Sequence, residues 1–161
     1  MIPRELHPAA DARGMRFCIV AAKWNREIVD RLLQGALATL RARGAAATDV
    51  EVRWVPGSFE LPLAARWAAE PAAGAAAFDA VIALGCVIRG QTEHFRLVAD
   101  AAAQGILRVG LDTGVPVLNG VLAVEDAAQA EARSGGEHGN AGAQAALGAV
   151  QMAHLRRAGR A

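Results

Sequence analysis

Apolar positions along the chain fall into two alternating kinds of segment. Runs of strand length, continuous or alternating, occupy residues 17–22, 49–55, 79–84 and 115–124. Between and after them, apolar residues recur every three or four positions, which predicts helices over 26–40, 58–70, 92–109, 125–133 and from about 142 to 157. Strands that alternate with helices predict a parallel sheet with helices on both faces. We therefore expect an α/β fold, a three-layer α/β/α sandwich with a four-stranded parallel sheet.

Glycine, proline and asparagine set the expected limits of these segments. The first helix should end near Gly44, and Pro62 is compatible with the first turn of the second helix, where an amide need not be paired. Residues 71–77 and 134–142 are predicted loops. The pair Asn119-Gly120 is expected to interrupt the fourth strand. We expect residues 1–14 to form an N-terminal arm and residues 15–158 a single domain.

Length and charge exclude several classes of function. A chain of 161 residues is the size of one domain. Its 17 basic and 16 acidic side chains nearly cancel, so nucleic acid is not an expected partner. The N-terminal stretch has no apolar core of a signal peptide, and outside alanine-rich helices no run is long enough to span a bilayer. These features predict a cytoplasmic protein without membrane contact.

The two cysteines are expected to be reduced packing residues. Cys18 and Cys86 lie in or just after predicted buried strands, without a CxxC spacing or a histidine pair that would complete a metal site. A catalytic thiol at Cys86 is a less favoured alternative, because that residue lies at a glycine-flanked joint. We expect neither a metal nor an organic cofactor.

The segment from Gly85 to Phe95 carries the strongest chemical signal. It joins an apolar strand to a helix, where α/β proteins place their ligands. Gly90 permits close approach of the backbone to a ligand, Gln91 and Thr92 lie where helix amides are unpaired, and His94 lies one turn inside. The pattern predicts an anion site beside a proton carrier, or alternatively an ordinary turn with a surface or core histidine.

Polar and aromatic residues follow the other strands, and parallel strands bring their carboxyl ends to one edge. Trp24 is suited to stacking on a flat heterocycle and Asn25 to pairing with polar groups, although they could instead cover the sheet and cap the helix. Glu60 could bind ligand hydroxyls or offset a helix dipole. The side-chain amide of Asn119 needs a hydrogen-bond partner, which a ligand or a neighbouring subunit could provide. Arg133 could clamp a phosphate or end a helix in solvent.

Together, the segments that follow the predicted strands resemble the corresponding segments of the lumazine synthase family of riboflavin biosynthesis. The resemblance lies in Lys23-Trp-Asn25, in Val55-Pro-Gly-Ser-Phe-Glu-Leu-Pro62 and in Ala83-Leu-Gly-Cys-Val-Ile-Arg-Gly-Gln-Thr-Glu-His-Phe95. It continues through Pro116-Val-Leu-Asn-Gly-Val-Leu122 and Gly139-Asn-Ala-Gly142. The motifs occur in order from about residue 14 to 157, so the resemblance covers nearly the whole chain.

The resemblance implies a flavodoxin-like fold and a condensation reaction without a cofactor. The expected substrates are 5-amino-6-(D-ribitylamino)pyrimidine-2,4-dione and 3,4-dihydroxy-2-butanone 4-phosphate, and the product is 6,7-dimethyl-8-ribityllumazine. By position, His94 would move protons, and Gly90, Gln91, Thr92 and a neighbour's Arg133 would hold the phosphate. The pyrimidine and its ribityl chain would be bound by Trp24, Asn25, Ser58, Phe59, Glu60, Val87, Ile88 and Asn119. Asn119 occupies a place where the family often has Phe.

The resemblance also implies that copies of the chain assemble into an oligomer. In addition, one position of the sequence departs from the family pattern. Family members form pentamers, decamers or a sixty-subunit icosahedral shell, and the short loop 134–142 favours the shell. Riboflavin synthase is a conceivable partner. The family's Gly-Asn-Lys-Gly is here Gly139-Asn-Ala141-Gly142, so a lysine near the phosphate is missing. We expect weaker binding of the butanone phosphate or slower turnover as a result.

Three other functions compete with catalysis. A binding module could hold riboflavin or a lumazine in the same pocket, and the missing lysine is consistent with it, whereas the intact Thr92 and His94 argue against it. A purely structural shell protein would need no His94. A nucleotide-binding Rossmann enzyme is disfavoured because no GxGxxG follows the first strand.

Overall fold

The computed structural model describes residues 7–70 and 73–159, and its secondary structure alternates between strands and helices. The elements, in chain order, are β1 (Phe17–Ala22), α1 (Arg26–Ala42), β2 (Val50–Val55), α2 (Leu61–Ala69), β3 (Ala80–Ile88), α3 (His94–Thr113), β4 (Val117–Val124), α4 (Ala127–Arg133), β5 (Ser134–Gly136), β6 (Gly139–Asn140) and α5 (Ala141–Ala158). Short 3-10 turns at Ala47–Asp49 and Ser58–Glu60 precede β2 and α2.

The four long strands form one parallel sheet in the order β2-β1-β3-β4. The expected α/β sandwich with a four-stranded parallel sheet is therefore confirmed. The chain first moves outward from β1 to β2 and then returns past β1 to β3 and β4. The strand order consequently reverses between β1 and β3, and a crevice opens there at the carboxyl ends of the two strands.

Two apolar layers hold the sheet between its helices. Side chains alternate between the faces of β1, so Phe17, Ile19 and Ala21 pack towards α1 and α5, whereas Cys18, Val20 and Ala22 pack towards α2 and α3. All six residues are fully buried. Burial of β1 on both faces explains its continuous apolar sequence, which differs from the alternation seen in the edge strand β2.

Three predicted boundaries were wrong. β3 continues four residues beyond Leu84 to Ile88, because β4 remains paired with it as far as Val124. Asn119-Gly120 does not interrupt β4; Gly120 is a regular strand residue, and an added Cβ would lie only 2.6 Å from a methyl group of Leu84. α3 begins at His94 rather than at Thr92 and continues to Thr113.

The segment 134–142, predicted to be a loop, contains the short antiparallel hairpin of β5 and β6. The side chain of Asn140 fixes this hairpin to two other segments. Its Nδ2 donates to the carbonyls of Arg31 and Ser134, at 2.8 and 3.3 Å, and its Oδ1 accepts from the amide of Ala143, at 3.0 Å. Asn140 thus caps α5 and joins it to α1.

The described end of the predicted N-terminal arm packs on the domain. Ala12 is fully buried and its amide donates to the carbonyl of Arg43, while a ring nitrogen of His154 contacts the carbonyl of Asp11. Residues 1–6 of the arm and residues 71–72 of the predicted loop lie outside the described residues. Among the helices of the described ranges, none is long and apolar enough to cross a membrane.

Candidate active site

A pocket of about 640 Å³ lies at the carboxyl ends of β1 and β3, where the strand order reverses. Ligands of open α/β sheets bind at this position. Three chain segments and the first turns of α3 surround the pocket. Its lining residues are Trp24, Asn25, Gly57, Ser58, Phe59, Glu60, Cys86, Val87, Ile88, His94, Leu97 and Val98.

Two large aromatic side chains stand exposed on the pocket wall. Trp24 is 73% exposed and Phe59 is 61% exposed, although both are apolar enough to favour burial. Gly57 lies against the indole of Trp24, since a Cβ at position 57 would come within 3.1 Å of its Cδ1. Exposed aromatic faces in a concave site favour a flat ring as the ligand.

Glu60 and Ser58 shape the turn between β2 and α2. An oxygen of the Glu60 carboxylate accepts the amide of Gly57 at 2.9 Å, which closes the turn. Ser58 is buried, and its hydroxyl packs against Gly85 of β3 without a hydrogen-bond partner among the described residues. Because the Ser58 hydroxyl faces the interior, only the main chain of Ser58 is left to contact a ligand.

Asn25 connects the end of β1 to β3. Its Nδ2 donates a hydrogen bond of 2.8 Å to the carbonyl of Cys86. Its backbone is left-handed, with φ of 55°, and it is the only residue other than glycine with a positive φ in the described part of the chain. Asn25 occupies the N-cap position of α1, but its side chain makes no capping hydrogen bond. The alternative role as a helix cap is therefore wrong.

The N-terminus of α3 faces the pocket without a side-chain cap. The preceding residues Gly90, Gln91 and Thr92 are exposed, and the space around the Gly90 Cα is open. The first amides of a helix have no intrahelical acceptor, so this end of α3 can receive an anion. His94, the first residue of α3, lines the pocket and is exposed. Its imidazole has no hydrogen-bond partner within residues 7–70 and 73–159, so it is available to a ligand.

Five predicted site residues do not line this pocket: Gly90, Gln91 and Thr92 precede its α3 wall, and Asn119 and Arg133 lie on other elements. Asn119 is exposed on the edge strand β4, where its Oδ1 accepts the amide of Val121 at 3.0 Å. Arg133 ends α4 and donates to the carbonyl of Gln129 at 3.3 Å. Neither residue lines the pocket, and Ala141 at the start of α5 does not line it either.

Four lining residues were not among the predicted binding residues. Gly57 and Cys86 line the pocket because they directly precede the predicted residues Ser58 and Val87. Leu97 and Val98 belong to the second turn of α3. Leu97 is 67% exposed. The signal in the sequence was the spacing of Leu97 and Val98, three and four residues after His94, because residues three or four apart on a helix share a face.

The cysteine thiols are not disposed for chemistry. Cys18 and Cys86 are buried and unpaired, and burial raises the pKa of each to about 11. A protonated thiol is a poor nucleophile, so the structure disfavours the alternative of a catalytic Cys86. Within the described ranges, no group of three or more His, Cys, Asp or Glu residues is arranged to hold a metal ion.

The sequence profile of the 6,7-dimethyl-8-ribityllumazine synthase family matches residues 14–157. Relatives that carry this enzyme name include a protein of Stenotrophomonas maltophilia, 53% identical over 141 residues, and one of Xanthomonas campestris, 49% identical over 140 residues; each match covers 87% of this chain and 88% of the relative. A Xylella fastidiosa relative with the same name is 48% identical over 151 residues, or 94% of this chain and 93% of that protein. The chain therefore belongs to the 6,7-dimethyl-8-ribityllumazine synthase family.

Proposed function

We propose that this protein condenses 5-amino-6-(D-ribitylamino)pyrimidine-2,4-dione with 3,4-dihydroxy-2-butanone 4-phosphate and releases 6,7-dimethyl-8-ribityllumazine, phosphate and water. Membership of the family supports this reaction. The observation that carries it is the combination, in one pocket, of two exposed aromatic faces, an uncapped helix N-terminus and a free imidazole. These features match a flat ring, a phosphate and a proton transfer, respectively.

The reaction requires positioning and proton transfer more than a protein nucleophile. An amine of the pyrimidine attacks the ketone and loses water to give an imine, and phosphate is then eliminated. The resulting enol tautomerises to a carbonyl, which the second amine attacks to close the ring with loss of a second water. Holding two substrates in reacting geometry can supply most of the acceleration, and an acid–base group adds about 10²–10⁴-fold. The absence of a nucleophile–base pair from the described pocket is compatible with this sequence of steps.

For the pyrimidine substrate, we propose that Trp24 and Phe59 flank the ring and that Val87 and Ile88 approach its edge through their main chains. Both valine and isoleucine are half-buried at the end of β3, where backbone groups extend beyond β1. Asn25 and the main chain of Ser58 would hold the ribityl chain together with Glu60. Asn119 would reach the ring from a neighbouring subunit, since it lies outside its own pocket.

For the butanone phosphate, we propose that the amides of Gly90, Gln91 and Thr92 bind the phosphate at the start of α3. A helix dipole stabilises an anion there by roughly 0.3–2 kcal/mol, and fixed amide donors also stabilise the charge that develops as phosphate leaves. Arg133 of a neighbouring subunit would complete the site. Its guanidinium is half-buried and points at no carboxylate among the described residues, which leaves it available for an anion.

His94 would transfer the protons. The test compares His94→Ala and His94→Gln with wild type in a lumazine-formation assay, with His7→Ala, an exposed histidine outside the pocket, as the matched control. We expect kcat to fall by about 10²-fold or more in both His94 variants and to be unchanged in the control. Equal turnover by wild type and His94→Ala would refute the role of the imidazole.

We further propose that the protein works as a homo-oligomer, a pentamer that builds an icosahedral shell. Large apolar side chains are exposed on α2 and α3, namely Leu63, Trp67, Leu107 and Leu111. Exposed apolar surface of this kind usually marks a protein interface. Sedimentation velocity would distinguish a pentamer from a sixty-subunit shell, and a monomer would contradict both. A cytoplasmic location and binding to riboflavin synthase are consistent with a role in riboflavin biosynthesis.

A further inference from the structure

We propose that Asn25 is a positioning residue whose amide is held in a single orientation, so that it fixes the end of β3 and presents its oxygen to the ligand. The inference rests on the proposed function, because it concerns the binding of the pyrimidine substrate in the same pocket. It is carried by the contact between Asn25 and Cys86, by the strand register and by the backbone conformation of Asn25.

The strand register explains why Cys86 needs this partner. Pairing between β1 and β3 ends at Ala21 and Leu84, whereas pairing between β3 and β4 continues to Ile88 and Val124. Beyond Leu84, the edge of β3 that faced β1 therefore has no strand beside it. The Asn25 Nδ2 donates to the Cys86 carbonyl at 2.8 Å, in the place of a strand amide. The side chain thus extends the sheet by one hydrogen bond at the pocket wall.

The backbone of Asn25 makes this contact possible. Its left-handed conformation, with φ of 55°, turns the chain sharply between β1 and α1. Asparagine tolerates this region better than most residues, whereas residues with larger or branched side chains rarely enter it. Only asparagine combines this tolerance with an amide donor of the required short reach, so the residue type is doubly constrained.

The orientation of the amide follows from its partner. A carbonyl oxygen only accepts, so the atom of Asn25 that faces Cys86 must be the nitrogen. The remaining acceptor, Oδ1, has no hydrogen-bond partner within the described residues, and Asn25 lines the pocket. The Asn25 oxygen can therefore accept a hydrogen bond from a hydroxyl or an N–H of the ligand, and the ribitylamino chain provides both groups.

Three substitutions at Asn25 separate the effect of its side-chain amide from the effect of its backbone conformation. Asn25→Asp has the same shape, but at pH 7 its carboxylate would face the Cys86 carbonyl without a donor. Asn25→Gly keeps the left-handed backbone and removes the amide. Asn25→Ala removes the amide and adds backbone strain. The first two variants therefore test the hydrogen bond, and the difference between the last two measures the strain.

The experiment measures pyrimidine binding by calorimetry, both KM values at pH 7, and hydrogen exchange of the amides at the end of β3, in residues 87–89. For Asn25→Asp and Asn25→Gly we expect the Kd and KM of the pyrimidine to rise about tenfold and the KM of the butanone phosphate to change less than about threefold. We also expect the amides of residues 87–89 to exchange faster. Wild-type binding and exchange in both variants would overturn the proposal. Equal increases in both KM values would also overturn it, because they would indicate general damage.

Calorimetry and exchange require no turnover, so they separate this inference from the proposed function. A wild-type protein that binds the pyrimidine but makes no lumazine would refute the proposed function alone.

Asn25→Asp tests the hydrogen bond in a second way. Acidification towards a carboxyl pKa of about 4 returns a donor to the side chain. We expect the ratio of variant to wild-type affinity to recover at low pH, and a ratio independent of pH would count against the donor role.

Discussion

Gly85→Ala tests how closely β3 packs against the turn that precedes α2. An alanine Cβ at this position would lie 2.5 Å from the Ser58 hydroxyl and 3.1 Å from a methyl group of Leu61. An ordinary contact with a carbon is at least about 3.4 Å, so one side must move by about 1 Å. Overpacking of this kind costs about 1–3 kcal/mol. We expect the free energy of unfolding of Gly85→Ala to fall by that amount.

Ser58→Ala should behave in the opposite way. The buried Ser58 hydroxyl has no partner among the described residues, and an unsatisfied buried polar group costs about 1–3 kcal/mol. Its removal should leave the stability unchanged or raise it by about 1 kcal/mol. It also clears the space that Gly85→Ala needs, because the remaining Ser58 Cβ is 3.5 Å away. In the double variant we expect a coupling energy of about 1–2 kcal/mol.

The assay is urea unfolding at one fixed protein concentration, followed by tryptophan fluorescence. Gly110→Ala is the matched control, since the nearest contact of its added Cβ, at 3.5 Å, is ordinary and α3 should gain from alanine. Additive effects of Ser58→Ala and Gly85→Ala would refute the proposed contact. So would a stability of Gly85→Ala equal to that of wild type.

Three further predictions concern the thiols, the helix packing and the phosphate site. Cys18 and Cys86, with pKa values raised to about 11, should resist a disulfide reagent at pH 8 until the protein unfolds, and rapid labelling of the native protein would contradict this. Because the unfolded thiols ionise near pH 9, their contribution to stability should be constant below that pH and should fall between about pH 9 and 11. Gly142→Ala should lower the free energy of unfolding by about 2 kcal/mol or more, because its Cβ would overlap the carbonyl of Leu32 where α5 meets α1. An unchanged urea midpoint would refute that packing. Ala141→Lys should lower the KM of the butanone phosphate by restoring a cation, and an unchanged KM would show that this position does not reach the phosphate.

Periodicity was sufficient to predict the sheet and its layers, because β1 and β3 are buried on both faces and consist of apolar residues. It failed where glycine lies inside a strand. Gly85 and Gly120 suggest strand ends, but both are needed because a neighbouring side chain occupies the space of their missing Cβ. Close packing of this kind depends on distant residues and cannot be recognised from a local pattern.

The site was predictable to the extent that it lies at strand ends. Eight of the predicted residues line one pocket, since parallel strands bring their carboxyl ends together. The direction of a side chain was not predictable. The hydroxyl of Ser58 points into the interior, and the amide of Asn25 is used by Cys86 rather than by α1. The contributions proposed for Asn119 and Arg133 depend on another subunit, which a single chain does not show.

The most direct measurement mixes the wild-type protein with both substrates and records lumazine and phosphate in the same samples. We expect the two products to appear together in equal amounts, over many turnovers, without added metal or cofactor. Tight binding of the pyrimidine or of riboflavin with no release of phosphate would contradict it. In that case the pocket would be a binding site and would not catalyse the condensation.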